Sequence, residues 1–325
     1  MSSAPSFTLA SRKSPLAVRQ ATLVRARLAD AIGLSAGELE THLTLKTFVT
    51  QGDKRLAGSL AEIGGKGLFT KEIEFALLNG DADIAIHSMK DMPAQMPDGL
   101  VTAAIPARED ARDAFISGMA SSPWELPENA VFGTSSVRRA AQLLHRRPDL
   151  KIVPLRGNVD RRLEKLAAGE ADATLLAEAG LRRLDKSDVQ RTVLEPQEML
   201  PAVGQGVLCV QMRADDDRLG QVRAALSCRS TTLASAAERA FLERLDGSCQ
   251  TPIAGLAVLD GPVLSFSVQL LSLDGRDEIS LSGQLTVSDE DDHTAKAAAV
   301  RFGAEVAEKI FAKAPANIRE LVRAA

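Results

Sequence analysis

The feature that most constrains this chain is an alternation. Through its first two thirds, short β-branched runs take turns with amphipathic helical stretches. That pattern predicts α/β units built on mostly parallel strands. The runs place strands near residues 7–10, 43–49, 83–86, 131–133, 151–155 and 174–177, and helices near 15–32, 69–78, 136–146, 159–168 and 179–184. Ser14 ahead of Pro15, and Gly80 after Asn79, are ordinary start and stop signals. A proline-containing charged segment, PARED at 106–110, suggests a crossing between domains, and a return crossing is expected near 196–206. After it, VLCVQM reads as a strand that rejoins the first domain. From about residue 229 the pattern changes to a helix at 231–245, strands with turns at Asp260-Gly261 and Asp274-Gly275, and a closing helix near 293–312. The expected division is therefore 1–106 plus 207–226 (α/β), 107–206 (α/β) and 227–325 (α+β).

Composition narrows the function classes. Hydrophobic residues are 45% and charged residues 25%, the balance of a globular protein. A net charge of −4 with 3% aromatics argues against nucleic acid as a partner. No stretch approaches a membrane span and the start has no secretory pattern, so a cytoplasmic protein is expected. The three cysteines, Cys209, Cys228 and Cys249, read as thiols. Cys209 lies in a strand pattern, Cys228 ends a helical run, and Cys249 sits in a loop where a thiol is either reachable or inert.

The polar residues that stand out follow strands and precede helices: Arg12-Lys13-Ser14, His87 to Asp91, Thr134-Ser135-Ser136, and Arg156-Gly157-Asn158. In open α/β sheets ligands bind at the carboxyl ends of strands, where helix N-termini favour anions. Arginine there suits carboxylates, because its planar fork donates two parallel hydrogen bonds. Asp91, the acid among these basic loops, either stabilises a cation or pairs with Lys90 or caps a turn. His87 reads as structural. Residues 50–67, rich in glycine and charge, read as a mobile cover and not as a phosphate loop. A non-catalytic two-lobed anion-binding module remains the alternative.

Taken in order, RKSPLA at 12–17, GGKGLF at 64–69, HSMKDMP at 87–93, PARED at 106–110, GTSSVRR at 133–139, LRGNVDRRL at 155–163, AGLRRL at 179–184, PAVGQG at 201–206 and GSCQTPI at 247–253 resemble the porphobilinogen deaminase family over nearly the whole chain. The resemblance implies two α/β domains like those of periplasmic binding proteins, with a third small α+β domain. It implies a transferase that joins four porphobilinogen units, with loss of ammonia, on a dipyrromethane primer held by a thioether to Cys249. Water then releases the linear tetrapyrrole hydroxymethylbilane.

By the same resemblance, Asp91 is catalytic, and Lys90, Asp91, Ser136, Arg138, Arg139, Arg162 and Arg183 lie against the primer. Arg12, Ser14, Arg156 and Gln205 bind substrate, and Lys66 belongs to the covering loop. No metal is implied, and a monomer acting on a small molecule is expected. Ser248, Thr251 and Ala254 depart from the commoner Gly, Val and Gly of the family.

Overall fold

The computed structural model describes residues 5–54, 69–93, 95–245, 251–288 and 291–323. The chain opens with β1 (Phe7–Arg12), α1 (Pro15–Ala31), α2 (Leu39–His42), β2 (Leu43–Phe48), α3 (Gln51–Lys54), α4 (Lys71–Leu78), β3 (Ile84–Ser88) and β4 (Leu100–Ala104). It continues through β5 (Asp113–Ser117), β6 (Val131–Gly133), α5 (Val137–Arg146), β7 (Lys151–Val153), α6 (Val159–Ala167), β8 (Ala173–Ala177), α7 (Glu178–Arg183) and β9 (Thr192–Val193). Then come β10 (Leu208–Arg213), α8 (Leu219–Leu226), α9 (Arg229–Arg244), β11 (Ile253–Asp260), β12 (Val263–Leu271), β13 (Glu278–Thr286), α10 (Asp292–Lys313) and α11 (Ala316–Arg323).

These elements form two compact units, one of residues 5–54, 69–93, 95–108 and 207–232, the other of 109–206, 233–245, 251–288 and 291–323. The first holds a five-stranded sheet ordered β2-β1-β3-β10-β4, with β1 parallel to β2 and β3, and β10 antiparallel to β3 and β4. Leu9, Val24, Leu28, Ile84 and Val210 fill the core between this sheet and α1.

The second unit contains a sheet of the same design, β7-β6-β8-β5-β9, with β6 parallel to β7 and β8, and β5 antiparallel to β8 and β9. The same unit carries the antiparallel meander β11-β12-β13. There β12 alternates between buried and half-buried residues, and Phe266 meets Phe241 of α9 edge-on at 5.3 Å. The fold is thus two α/β sheets of mixed direction with an additional small α+β part.

Three strands went unread in the sequence: β4, β5 and β9. β5 (DAFIS) is buried at four successive positions, so its side chains show no apolar–polar alternation. It lies just beyond the PARED segment that had been read as a crossing, and it carries a residue on which the site depends.

Candidate active site

In the first unit the sheet brings four expected residues to its strand ends. Ser14 caps α1, accepting from the Ala17 amide at 3.4 Å, and this fixes the turn after β1. Arg12, at the end of β1, stacks over the Phe69 ring with its guanidinium carbon 4.2 Å from the ring centre. Its close ion-pair partner is Asp53 of α3, which also accepts from the Thr50 amide at 3.1 Å and hydroxyl at 2.8 Å. Burial raises the Asp53 carboxyl, but the bonds from Arg12 and Thr50 outweigh it and hold the group below its usual range. Lys90 and Asp91 form a single 3-10 turn directly after β3. Asp91 is 37% exposed and 4.0 Å from Arg12. Among the described residues the ion pair of Asp91 is this long one, and Arg12 stands closer to Asp53.

His87 is buried, its Nε2 3.0 Å from Gln211 Oε1 on β10, and Gln211 Nε2 in turn donates toward Glu74. Burial pushes the imidazole down to about 4 against the opposing effect of the Gln211 bond, with the Arg12 charge adding to the depression. His87 is therefore neutral in the folded chain at neutral pH and serves packing. The unfolded chain takes up a proton near pH 6.5 that the folded chain refuses until about 4, so His87 erodes stability as pH falls through that window, by up to about 3 kcal/mol. Glu74, raised by burial, works in the opposite sense. His87→Gln is expected to flatten the fall of the urea midpoint between pH 6.5 and 4 relative to wild type; an unchanged slope would contradict the assignment.

In the second unit the GTSSVRR segment starts α5. Thr134 Oγ1 accepts from the Ser136 amide at 3.1 Å, and Ser136 caps the helix by accepting from the Arg139 amide at 3.4 Å. The first turn thus aims Arg138 and Arg139 at one point, the fully buried carboxylate of Asp113 on β5. Arg138 Nη2 donates to Asp113 Oδ2 at 2.8 Å, and Arg139 Nη2 donates to Oδ1 at 2.7 Å. Gln205 is the third residue to donate to this carboxylate, its Nε2 lying 2.8 Å from Oδ1. Burial raises the Asp113 carboxyl, but the two guanidinium charges prevail and keep it well below the usual carboxylate range.

Two buried cations against one carboxylate leave a surplus positive charge. Burial, together with the neighbouring charge of Arg139, lowers Arg138 in spite of Asp113. Among the described residues, Arg138 Nε and Ser135 Oγ are buried without a hydrogen-bond partner. Surplus charge and spare donors at the start of α5 fit a carboxylate-bearing ligand.

The other expected arginines serve the same unit by different contacts. Arg183, closing α7, donates to the Gly206 carbonyl at 2.6 Å. Arg162 Nε donates to the Gly157 carbonyl at 2.9 Å and so braces the loop in which Arg156 is half-buried. Asn158 caps α6 there, accepting from the Arg161 amide at 2.9 Å. Arg182 and Arg191 belong to a separate group around buried Glu178.

Cys249, Ser248 and Lys66 lie outside the described residues, as does most of the segment 50–67. Thr251 and Ala254 are buried at the start of β11. Cys209 is buried in β10. Cys228 lies just past the end of α8, as the sequence suggested, and directly ahead of α9; burial raises its thiol, and hydrogen bonds from Ser230 and Thr231 more than reverse this. Asp113 and Asp53 were missed as site members, because nothing in their local sequence names their partners.

Residues 7–221 match the porphobilinogen deaminase dipyromethane cofactor binding domain, and residues 232–312 match the porphobilinogen deaminase C-terminal domain. The chain belongs to the porphobilinogen deaminase family. It is 50% identical over 311 residues to the porphobilinogen deaminase of Caulobacter vibrioides, covering 94% of this chain and 96% of that one. It is also 50% identical over 309 residues to the porphobilinogen deaminase of Paracoccus denitrificans, covering 95% of each. Among solved structures, this porphobilinogen deaminase family chain is similar to an ABC transporter periplasmic substrate-binding protein from Coxiella burnetii (TM-score 0.40, 14% identity, 67% of this chain and 90% of that one). It is similar too to a Salmonella typhimurium periplasmic binding protein with high arginine specificity (TM-score 0.39, 13% identity, 68% and 92%). The dipyrromethane group that the family implies is compatible with the cluster around Arg138, whose surplus cation and unpartnered donors suit pyrrole carboxylates.

Proposed function

We propose that the protein is a hydroxymethylbilane synthase: it condenses porphobilinogen units, each losing ammonia, on a dipyrromethane primer and releases the linear tetrapyrrole. The observation that carries this reading is the buried Arg138–Arg139–Asp113 cluster, with its uncompensated positive charge, inside the segment that matches the family's cofactor-binding domain. When bound, the dipyrromethane supplies the pyrrole carbon to which the first substrate is joined. Cys249 holds it by a thioether, and Ser136, Arg138, Arg139, Arg162, Arg183 and Lys90 bind and orient its carboxylates. Ser14 and Arg156 receive the acetate and propionate of incoming substrate, Arg12 joins them by exchanging Asp53 for a substrate carboxylate, Gln205 acts from beneath through its bond to Asp113, and Lys66 belongs to the covering loop.

Asp91 does the electrostatic work of the reaction. As the C–N bond of the aminomethyl group breaks and ammonia departs, positive charge develops on the pyrrole, and a fixed carboxylate with little of its charge neutralised stabilises it. The proposal extends to three domains, 1–106 plus 207–226, 107–206 and 227–325, and to a cytoplasmic monomer that takes a small-molecule substrate.

The anchor is tested by substitution. Cys249→Ser, whose hydroxyl is a far weaker nucleophile than a thiolate, is expected to fold and to show only the polypeptide mass after denaturation. Cys209→Ser is expected to retain the adduct. A Cys249→Ser chain that kept the dipyrromethane mass would overturn the assignment.

A further inference from the structure

In the second unit the C-terminal meander meets α5 backbone to backbone. Gly275 lies in the turn between β12 and β13 with φ +72°, and a Cβ on it would stand 2.5 Å from the Ala141 carbonyl oxygen and 2.6 Å from the His145 amide nitrogen of α5. Its carbonyl accepts from His145 Nδ1 at 2.8 Å. The turn is stiffened from within: the Gly275 amide donates to the Ser272 carbonyl at 3.0 Å, and Ser272 Oγ donates to Asp274 at 2.6 Å. Only glycine permits this approach and this φ together.

A second attachment lies on the other side. Buried Glu238 of α9 accepts from the Gly204 amide at 2.6 Å and from the Ala257 amide of β11 at 2.8 Å. Gly204 leads directly into Gln205, which donates to Asp113, and Gly206, whose carbonyl receives Arg183. Residue 200 closes the frame, since its carbonyl takes Arg138 Nη1 at 2.7 Å and Gln142 Nε2 at 2.9 Å. The first attachment therefore ends on the later turns of α5, the helix whose first turn carries the arginine pair, and the second on the segment that holds their carboxylate Asp113 and receives Arg183.

We infer that Gly275 and Glu238 are positioning residues: they hold the Arg138–Arg139–Asp113 cluster in fixed register with α9 and β11, the elements between which Cys249 lies in the sequence. This rests on the reading that the cluster holds the primer's carboxylates. Guanidinium–carboxylate forks are directional, and displacement by about 1 Å can cost about 10²-fold in rate. The dock thus sets how fast the thiol and the bound pyrroles find each other.

Gly261 supplies a matched control. It occupies the β11–β12 turn with φ +53°, and a Cβ there would meet nothing within 4 Å. Gly261→Ala and Gly275→Ala both strain a left-handed turn, but only the second pushes on α5. Each chain would be purified from cells that make no porphobilinogen, the folded fraction isolated by size exclusion, and its intact mass followed after porphobilinogen is added. Folded Gly261→Ala is expected to gain the dipyrromethane mass at the wild-type rate, and folded Gly275→Ala at least about tenfold more slowly. If Gly275→Ala does not fold, Glu238→Gln, which offers a single oxygen to two amide donors, is read by the same criterion. Wild-type loading in the folded dock variant would overturn the inference and leave the function standing. A wild-type chain that never gained the mass would overturn the function and the inference with it.

Discussion

Asp113→Ala is expected to lose about 3–5 kcal/mol of stability, because it strands two buried guanidinium groups at once. Asp113 is 0% exposed and receives Arg138, Arg139 and Gln205 together. Removing the carboxylate leaves positive charges that face each other without solvent, and Gln205 loses an acceptor as well. For a protein of this size the thermal midpoint should fall by about 4–7 °C. Asp113→Asn, which keeps an acceptor oxygen but no charge, should fall between. The pH dependence has a definite sign. The carboxyl is held well below its usual range in the folded chain, so its contribution is fully present above the unfolded value near 3.9 and is lost only as pH drops through the lower folded value. Thermal melts of Asp113→Ala within about 1 °C of wild type at neutral pH would show that the cluster is not the keystone its geometry describes.

Asp91→Ala is expected to leave folding intact and to slow the chemical step by at least about 10²-fold in kcat, a loss of about 3 kcal/mol of transition-state stabilisation. The two aspartates differ in exposure and in partners. Asp91 is 37% exposed with Arg12 only at 4.0 Å, while Arg12 gives its close contact to Asp53. A carboxylate so placed adds little to stability and is available to a cation that forms during the reaction. Asp91→Asn should be impaired as severely as Asp91→Ala, because shape without charge does not meet a developing cation. Single-turnover addition of porphobilinogen to preassembled holoenzyme separates this from weakened binding. Normal single-turnover addition in Asp91→Ala would remove the reason for calling the residue catalytic.

Much of this was legible in the sequence, and the exceptions share a physical cause. The loops after β1, β3, β6 and β7 were found because strand-to-helix junctions announce themselves by pattern and caps, as at Ser14, Ser136 and Asn158. The helices α1, α5 and α9 fell within a residue or two of expectation, and Ser14 and Ser136 mark the starts of α1 and α5 as caps. Partner choice was invisible. Asp113 meets Arg138 and Arg139 from β5, a strand buried without alternation, and His87 meets Gln211 from a strand far along the chain. Arg12 was read as a free carboxylate receptor, and the structure gives it Asp53 from a glycine-rich segment with no periodicity to place it. Local sequence encodes where a side chain can stand; which opposite charge it meets is set by how the sheets assemble. Likewise, nothing in Asp274-Gly275 beyond a turn signal shows that the turn lies against a helix backbone.

The central claim is that this chain carries a covalent primer and extends it. The most direct measurement adds limiting porphobilinogen to the wild-type holoenzyme, denatures samples over time, and reads intact mass together with released ammonia. The account predicts a starting mass above that of the polypeptide by one dipyrromethane, successive additions of one deaminated pyrrole, and one ammonia for each. A chain at the bare polypeptide mass before and after porphobilinogen, with no ammonia released, would contradict it.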